Sequence, residues 1–375
     1  MNLFMRRALE LATLGQSHVS PNPMVGCVIE YQGRIIGEGW HQRCGEAHAE
    51  RNAIVSVRPE DVHLLPESTA YVTLEPCSHY GKQPPCADLL IEKRVGRVVC
   101  CNDDPNPLVA GQGFAKLRNA GIAVETGILN EEGRALNARF FTFMEKQRPY
   151  IILKWAETTD GFIGGESGQP VQISGPLSQR LVHRWRSEED AIMVGTITAL
   201  ADNPRLNVRL VPGKNPVRIV IDKQLRLDTN LNLFDESQLT LVYGFVIPTT
   251  EKSSLRVQEQ HISEDSSVVG MTKTKSTTYI QLSPDKPFLP QLLADLYERR
   301  IQSVLVEGGA TLLNSFIDAG LWDEMRVFRS QTMLHTGIKA PTVRGQLIRR
   351  EGAGEDELSR YQPSERSSSS PGRQS

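Results

Sequence analysis

The chain has 375 residues, a formal net charge of −2 and 23% charged side chains, which is enough polypeptide for two ordinary domains, each with its own core. Interspersed charges of both signs supply no basic field to hold a nucleic-acid backbone, and no run is long and apolar enough to span a bilayer. Six cysteines in a chain of this length read as thiols of a reducing cytosol, some of them metal ligands, and not as a disulfide framework. A small-molecule substrate and a cytoplasmic setting are therefore expected, with no nucleic acid and no membrane.

Met1 to Gln16 is amphipathic, with Phe4, Ala8, Leu11 and Ala12 near helical spacing, and it lacks the apolar core and cleavage site of a signal peptide. Met24 to Glu30 and Arg34 to Gly39 are short strand-like runs around a turn at Gln32-Gly33, which predicts a hairpin. A helix is expected over Ala47 to Val57, a strand over Ala70 to Leu74, a helix over Pro85 to Arg94 and a strand over Arg97 to Cys101. A helix at Gly113 to Asn119 and a strand at Ala123 to Glu125 follow. Strands alternating with helices predict a sheet sandwiched between helical layers.

The polar stretch Glu145-Lys146-Gln147-Arg148-Pro149 marks the expected domain joint. A second α/β pattern begins at Tyr150 to Lys154 and runs through a helix at Leu177 to Arg186 and strands at Ala191 to Val194, Val217 to Ile221 and Leu239 to Val242. It continues with a helix at Pro290 to Arg300, a strand at Ser303 to Glu307, the turn Gly308-Gly309 and a helix at Thr311 to Asp318. Glu251 to Ser276 is polar and poorly periodic, so it is assigned to surface loops with one strand at most. From Ser359 onward the chain, including Ser367 to Ser370, reads as a low-complexity disordered tail. The resulting division is 1–146, 147–358 and a tail at 359–375.

The chemistry of the first half lies in His48-Ala49-Glu50, Pro76-Cys77 and Cys86. One imidazole and two thiols fill three positions of a catalytic zinc site and leave the fourth for water. The nucleobase-deaminase signature, H-x-E followed by P-C-x-x-C, keeps its glutamate off the metal as general acid and base. That is the role expected of Glu50. Here eight residues, 78 to 85, separate the two cysteines. His48 and Glu50, two apart, are expected in the first turn of a helix, and Cys86 after Pro84-Pro85 at a helix start, where the dipole favours thiolate. A closed structural zinc would normally have four such ligands. Cys27, Cys44, Cys100 and Cys101 are expected to be plain packing residues, with Cys100 and Cys101 on opposite faces of one strand.

Pro21-Asn22-Pro23, Gly39-Trp40-His41, His48-Ala49-Glu50, Leu74 to His79, Pro84-Pro85-Cys86 and Asp104-Pro105-Asn106-Pro107 together resemble the bifunctional riboflavin biosynthesis deaminase-reductase family. The likeness continues through Leu153-Lys154-Trp155-Ala156, Asp160-Gly161, Asp202-Asn203-Pro204 and Val306-Glu307-Gly308-Gly309. It implies an α/β chain with a cytidine-deaminase-like three-layer α/β/α domain, then a dihydrofolate-reductase-like α/β domain. The first would remove the 2-amino group of a diaminopyrimidinone ribosylamino phosphate using zinc. The second would reduce the product's ribosyl group to ribityl with NADPH. The resemblance also implies a homo-oligomer.

By the same match, Asn22, His41, His79, Lys82, Asp104 and Asn106 fall at substrate positions of the deaminase. Ala156, Gln172, Thr198, Asp202 and the run Gly309, Ala310, Thr311, Leu312, Leu313, Asn314 and Ser315 fall at NADPH positions. Lys154, Pro170, Leu206, Arg209 and Glu307 fall at substrate positions of the reductase. Pro170 and Gln172 stand where the family usually has a serine and a tryptophan, Gln83 replaces a threonine, and Met333 to Ile338 lacks a glycine-rich turn. Those departures motivate a runner-up reading, an active deaminase whose second domain binds a ligand with little reduction.

Overall fold

The computed structural model describes residues 2–80, 84–106, 109–166, 171–246, 268–273 and 276–364. Lys82, Gln83, Pro170 and most of the expected loop and tail segments lie outside them. The chain divides into two compact units, Met1–Pro149 and Tyr150–Ser375, so the change falls at the end of the polar stretch 145–149 and not between 146 and 147.

Unit 1 runs α1 (Leu3–Thr13), β1 (Gly26–Tyr31), β2 (Arg34–Trp40), α2 (Ala49–Ser56), β3 (Thr69–Leu74), α3 (Cys86–Glu92), β4 (Arg97–Asn102), α4 (Gln112–Asn119), β5 (Ala123–Glu125), α5 (Asn130–Leu136) and α6 (Ala138–Lys146). The five strands lie in the order β2-β1-β3-β4-β5. β1 pairs antiparallel with β2 and β3, whereas β3, β4 and β5 run parallel. Positive φ at both Gln32 (48°) and Gly33 (80°) closes the β1–β2 hairpin, the backbone twist that a two-residue loop requires.

Alternation along the strands builds the layers. Cys27, Ala70, Val72, Val98 and Cys100 point to one face, against Ala49 and Ala53 of α2, Ala87 and Leu90 of α3, and Phe114 and Leu117 of α4. Val28, Val99 and Cys101 point to the other, against Met5, Ala8 and Leu11 of α1. Cys100 and Cys101 thus belong to different layers, and both are buried, as is Cys27. Cys44 departs from the packing role expected of it and is exposed. Helix α2 reaches the sheet because β2 offers Gly39 beneath it. A β-carbon at Gly39 would collide with the backbone of Ala49 and Ala53.

Unit 2 runs β6 (Tyr150–Glu157), β7 (Phe162–Gly164), α7 (Pro176–Glu188), β8 (Ala191–Gly195), α8 (Thr196–Asp202), β9 (Val217–Ile221), β10 (Thr240–Gly244), β11 (Val268–Lys273), β12 (Thr277–Leu282), α9 (Phe288–Glu298), β13 (Ser303–Val306), α10 (Ala310–Ala319), β14 (Glu324–Arg329), β15 (Ile338–Lys339), β16 (Gln346–Ala353) and β17 (Asp356–Gln362). Ten strands form one sheet in the order β11-β12-β10-β9-β8-β13-β6-β14-β17-β16. The run from β12 to β14 is parallel throughout, and both ends close with antiparallel neighbours. Parallel strands covered on both faces become continuously apolar. Ile151, Leu153, Met193, Val304 and Val306 pack under α9 and α10, while Ile192, Val194 and Val220 pack with Ala199 of α8 and Leu233 on the opposite face.

The sequence expectation stops short at the C-terminus. β14 to β17 carry many charges, and β17 extends to Gln362, so residues 359–362 are a paired strand and not the start of a tail. Within the polar stretch 251–276, the described strand is β11.

Candidate active sites

In unit 1 the metal-type donors hang from two helix starts and one strand end. His48 is the N-cap residue of α2 and Glu50 lies in its first turn. Cys86 opens α3 after Pro85, and Cys77 follows the C-terminal end of β3. Nδ1 of His48 lies 3.6 Å from Sγ of Cys77 and 3.4 Å from Sγ of Cys86. The three donor atoms are all within 4.8 Å of one another. Zinc–ligand lengths of about 2.0–2.3 Å place tetrahedral donors about 3.5 Å apart, so this set fits zinc, and soft thiolates with an imidazole are donors suited to it.

The protonation states follow from contacts. Its hydrogen bond with Cys86 brings the Cys77 thiol down to about 4, against the opposing effect of burial. The same bond pushes Cys86 up. The backbone N–H of Cys86 also donates to Sγ of Cys77, at 3.3 Å. His48 is raised, chiefly by its hydrogen bond with Cys77. Glu50 is 3% exposed, and burial raises its carboxyl above the ordinary range, the direction required of a group that must hold and release a proton near neutrality.

Asn22 and His41 stand beside this group. His41 is buried and edge-on to His48, with ring centroids 5.4 Å apart. Its Nδ1 faces the carbonyl of Ala47 at 3.1 Å, which makes Nδ1 the donor and leaves Nε2 to accept from Nδ2 of Asn22 at 3.1 Å. Both ring nitrogens are thereby committed within the protein. One of these partners is the Asn22 amide, so His41 holds the side chain of a neighbouring expected substrate residue. Asp104 feels the charges of His79 and Cys77, and burial pushes it up to about 6. Its Oδ1 accepts from the Asn106 N–H at 2.8 Å. His79 is exposed.

Glu75 has a role that the motif alone did not reveal. Its buried carboxylate accepts backbone N–H groups from Gly111 and Gly113, both at 2.9 Å, and more distantly from Asp104 and Phe114. It thus fixes the loop that carries Asp104 and Asn106. The available signal was a glutamate inside an apolar strand end, which must find partners when buried.

In unit 2 a cavity of about 1380 Å³ opens at the carboxyl ends of β6, β8, β9 and β13. β13 lies between β6 and β8, so chain order reverses there, the place where open α/β sheets bind ligands. Lys154, Ala156, Gln172, Thr198, Asp202, Leu206, Arg209 and Glu307 all line it, as do Gly309 to Leu313 and Ser315. Asn314 does not, because it lies on another side of α10, and Leu313 and Leu206 have their side chains mainly in the core. Gly309, at φ 65°, caps α10. A β-carbon on Gly308 would come within 2.9 Å of Cγ2 of Thr198, so the close approach of Thr198 leaves no room for a side chain at 308.

The polar centre is Glu307 with Arg186. Two bonds, Nε to Oε1 at 2.8 Å and Nη2 to Oε2 at 2.7 Å, join the guanidinium to the carboxylate. Burial would raise Glu307, but the Arg186 charge and hydrogen bonds outweigh it and lower it overall. Burial lowers Lys154, with Glu307 opposing. His183 falls to about 4 because it is buried beside Arg186 and Arg209. Its Nδ1 accepts from the Arg209 N–H at 3.2 Å. Arg186 belongs to no motif quoted above. Its signal is the three-residue spacing from His183, which puts both polar groups on one face of α7.

Two such sites on one chain define a class: a metal-dependent deaminase joined to a nicotinamide-dependent reductase. Residues 1–102 match the cytidine and deoxycytidylate deaminase zinc-binding region, and residues 149–346 match the RibD C-terminal domain. The chain is 41% identical to the riboflavin biosynthesis protein RibD of Actinobacillus pleuropneumoniae over 325 residues, 87% of this chain and 82% of that one. It is 38% identical to the RibD of Escherichia coli K12, over 88% of both chains. Among solved structures, a diaminohydroxyphosphoribosylaminopyrimidine deaminase/5-amino-6-(5-phosphoribosylamino)uracil reductase from Thermotoga maritima superposes with a TM-score of 0.82 at 36% identity, covering 96% of this chain and 98% of the other. Acinetobacter baumannii RibD gives 0.82 at 33% identity over the same shares.

The chain belongs to the RibD family of bifunctional riboflavin biosynthesis enzymes. It is a zinc deaminase and an NADPH reductase in one polypeptide. Among the described residues no helix is long and apolar enough to cross a membrane.

Proposed function

We propose that unit 1 deaminates 2,5-diamino-6-ribosylamino-4(3H)-pyrimidinone 5′-phosphate and that unit 2 reduces the ribosyl group of the product to ribityl. The observation that carries the reading is the convergence of His48, Cys77 and Cys86 with Glu50 buried in the same helical turn as His48. Bound zinc supplies an acidified water at neutral pH. Glu50 would take a proton from water as its oxygen adds to the ring carbon that bears the amine, deliver that proton to the ring nitrogen, and then carry the proton of the new hydroxyl to the amine, which departs as ammonia. Asn22, its amide held by His41, reads the pyrimidine edge. Asp104 and Asn106, on the loop braced by Glu75, hold the opposite side with His79 and Lys82.

In unit 2, NADPH supplies the hydride. The Gly308-Gly309 turn and the start of α10 offer backbone N–H groups to its pyrophosphate, with Ala156, Gln172, Thr198 and Asp202 along the cavity wall. Glu307, kept ionised and immobile by Arg186, accepts from the sugar hydroxyls. Lys154 faces the charge that develops on the sugar oxygen, and Arg209 offers a planar fork to the substrate phosphate. Nothing at Gln172 favours the reading of an impaired reductase. A cytoplasmic homo-oligomer acting on small molecules and not on nucleic acid accords with the family and with the charge balance.

Product mass spectrometry on the zinc-loaded chain tests both halves. The deaminated species should form without NADPH and become the ribityl compound with it. Absence of the first product would refute the assignment of unit 1, and failure to advance with NADPH would refute that of unit 2.

A further inference from the structure

Asn22, the residue given the pyrimidine edge, stands just ahead of β1 in a segment that has left the sheet. The pairing of β1 with β3 runs from Glu30 back to Cys27, which faces Val72, and ends there. Backbone N–H groups of alternate residues in an extended chain point to the same side, so those of Gly26 and Met24 continue along the flank that β3 has vacated. Side chains take over the ladder. The Gly26 N–H donates to Oγ1 of Thr73 at 3.1 Å, and the Met24 N–H donates to Oδ1 of Asn137 at 2.9 Å.

Asn137 does more than accept. Its Nδ2 donates to the Met24 carbonyl, also at 2.9 Å, so one carboxamide closes on both polar groups of one residue, as a residue of a neighbouring strand would. Asn137 is 4% exposed and sits at the junction of α5 and α6. Its own N–H donates to the Gly133 carbonyl and its own carbonyl accepts from the Phe141 N–H, so two helices hold the carboxamide in place. Phe140 and Phe141 of α6 pack with Leu74 and Val25 beside it. The His41 N–H donates to the Val25 carbonyl at 2.9 Å, and the His41 ring holds the Asn22 amide. Both bonds of the Asn137 amide go to the segment that carries Asn22 and neither to the loops that carry His48, Cys77 and Cys86.

We infer that Asn137 is a positioning residue of the deaminase: by fixing Met24 it sets where the Asn22 amide stands, and so how tightly the pyrimidine is bound. The inference rests on the reading of Asn22 as the contact to the pyrimidine edge. Without the carboxamide, the Met24 N–H and carbonyl lose their partners and the segment from Asn22 to Met24 can shift. A misplacement of about 1 Å in a binding group can cost up to about 10²-fold.

A double-mutant cycle on the full zinc-loaded chain, scored by deamination kinetics, tests this. Asn137→Ala should raise the deaminase KM about tenfold, with kcat, zinc content and the reduction of supplied deaminated substrate unchanged. In an Asn22→Ala background the same substitution should add nothing, because the group through which it acts is gone. A merely structural role would weaken both backgrounds alike, and that result overturns the inference. A wild-type KM in Asn137→Ala overturns it too. If Asn137→Ala does not fold, Asn137→Asp carries the same cycle, since it keeps the volume and the acceptor for the Met24 N–H and loses only the donor. An Asn22→Ala chain with an unaltered KM would refute the pyrimidine contact itself and the inference with it, a failure read before residue 137 is changed.

Discussion

The two sites solve positioning in opposite ways. In unit 1 the metal donors and Glu50 come from 39 consecutive residues, 48 to 86, and are locked by two helix starts against one strand end. In unit 2 the cavity draws on strand ends from Lys154 to Glu307, and its central pair joins side chains 121 residues apart. Compact chemistry leaves a local motif. Dispersed chemistry leaves only a topology, with each loop contributing one or two groups.

The sharpest break in that comparison comes from Glu50→Gln. It should retain zinc and lower deamination by about 10²–10⁴-fold, the usual worth of a general acid–base. Reduction of supplied deaminated substrate should be untouched. Ordinary deaminase turnover by this variant, with metal content confirmed, would sink the role of Glu50. Zinc removal with a chelator should likewise abolish deamination while sparing reduction, because the metal donors all lie in unit 1. A chelated sample that loses both activities would argue against independent sites.

In unit 2, Arg186→Ala should leave Glu307 as an unpaired buried carboxylate, at a cost of about 3–5 kcal/mol. Reduction should fail, with deamination the internal control. Arg186→Lys keeps the charge but not the fork, so it should regain stability sooner than activity. Equal recovery of both would show that only charge matters there.

A smaller effect concerns pH. Asp104 is raised to about 6, against about 3.9 in an unfolded chain. Between those values the folded state binds the extra proton, so stability contributed by this group falls as pH rises through about 4 to 6. Asp104→Asn should flatten that part of the stability profile. It should also remove any limb near pH 6 from the deaminase KM. An unchanged profile would mean that the carboxyl is already ionised there.

Legibility followed the same division. His48, Glu50 and Cys86 could be placed at their helix starts from spacing and proline position alone, because each constraint is local. His41 could be found but the partners of its two ring nitrogens could not, since they depend on Ala47 and Asn22 in space. Arg218 presents the same difficulty in the fold. It interrupts an apolar strand, yet is wholly buried and bonds to the carbonyls of Arg205 and Leu233 and to Asp235 and Ser237. β14 to β17 were hidden by their charges. Arg326 on β14 is buried over the Trp185 ring, 4.6 Å from its centroid, whereas β16 is an edge strand facing solvent, so neither shows the alternation of a half-buried strand.

Gly39 carries no chemistry, yet α2 rests directly on it. Any side chain there would lift the helix start and carry His48 and Glu50 away from the two cysteines. Gly39→Ala should therefore appear in a survey of variants as a metal-binding defect, with low zinc occupancy in a folded protein, although residue 39 supplies no ligand.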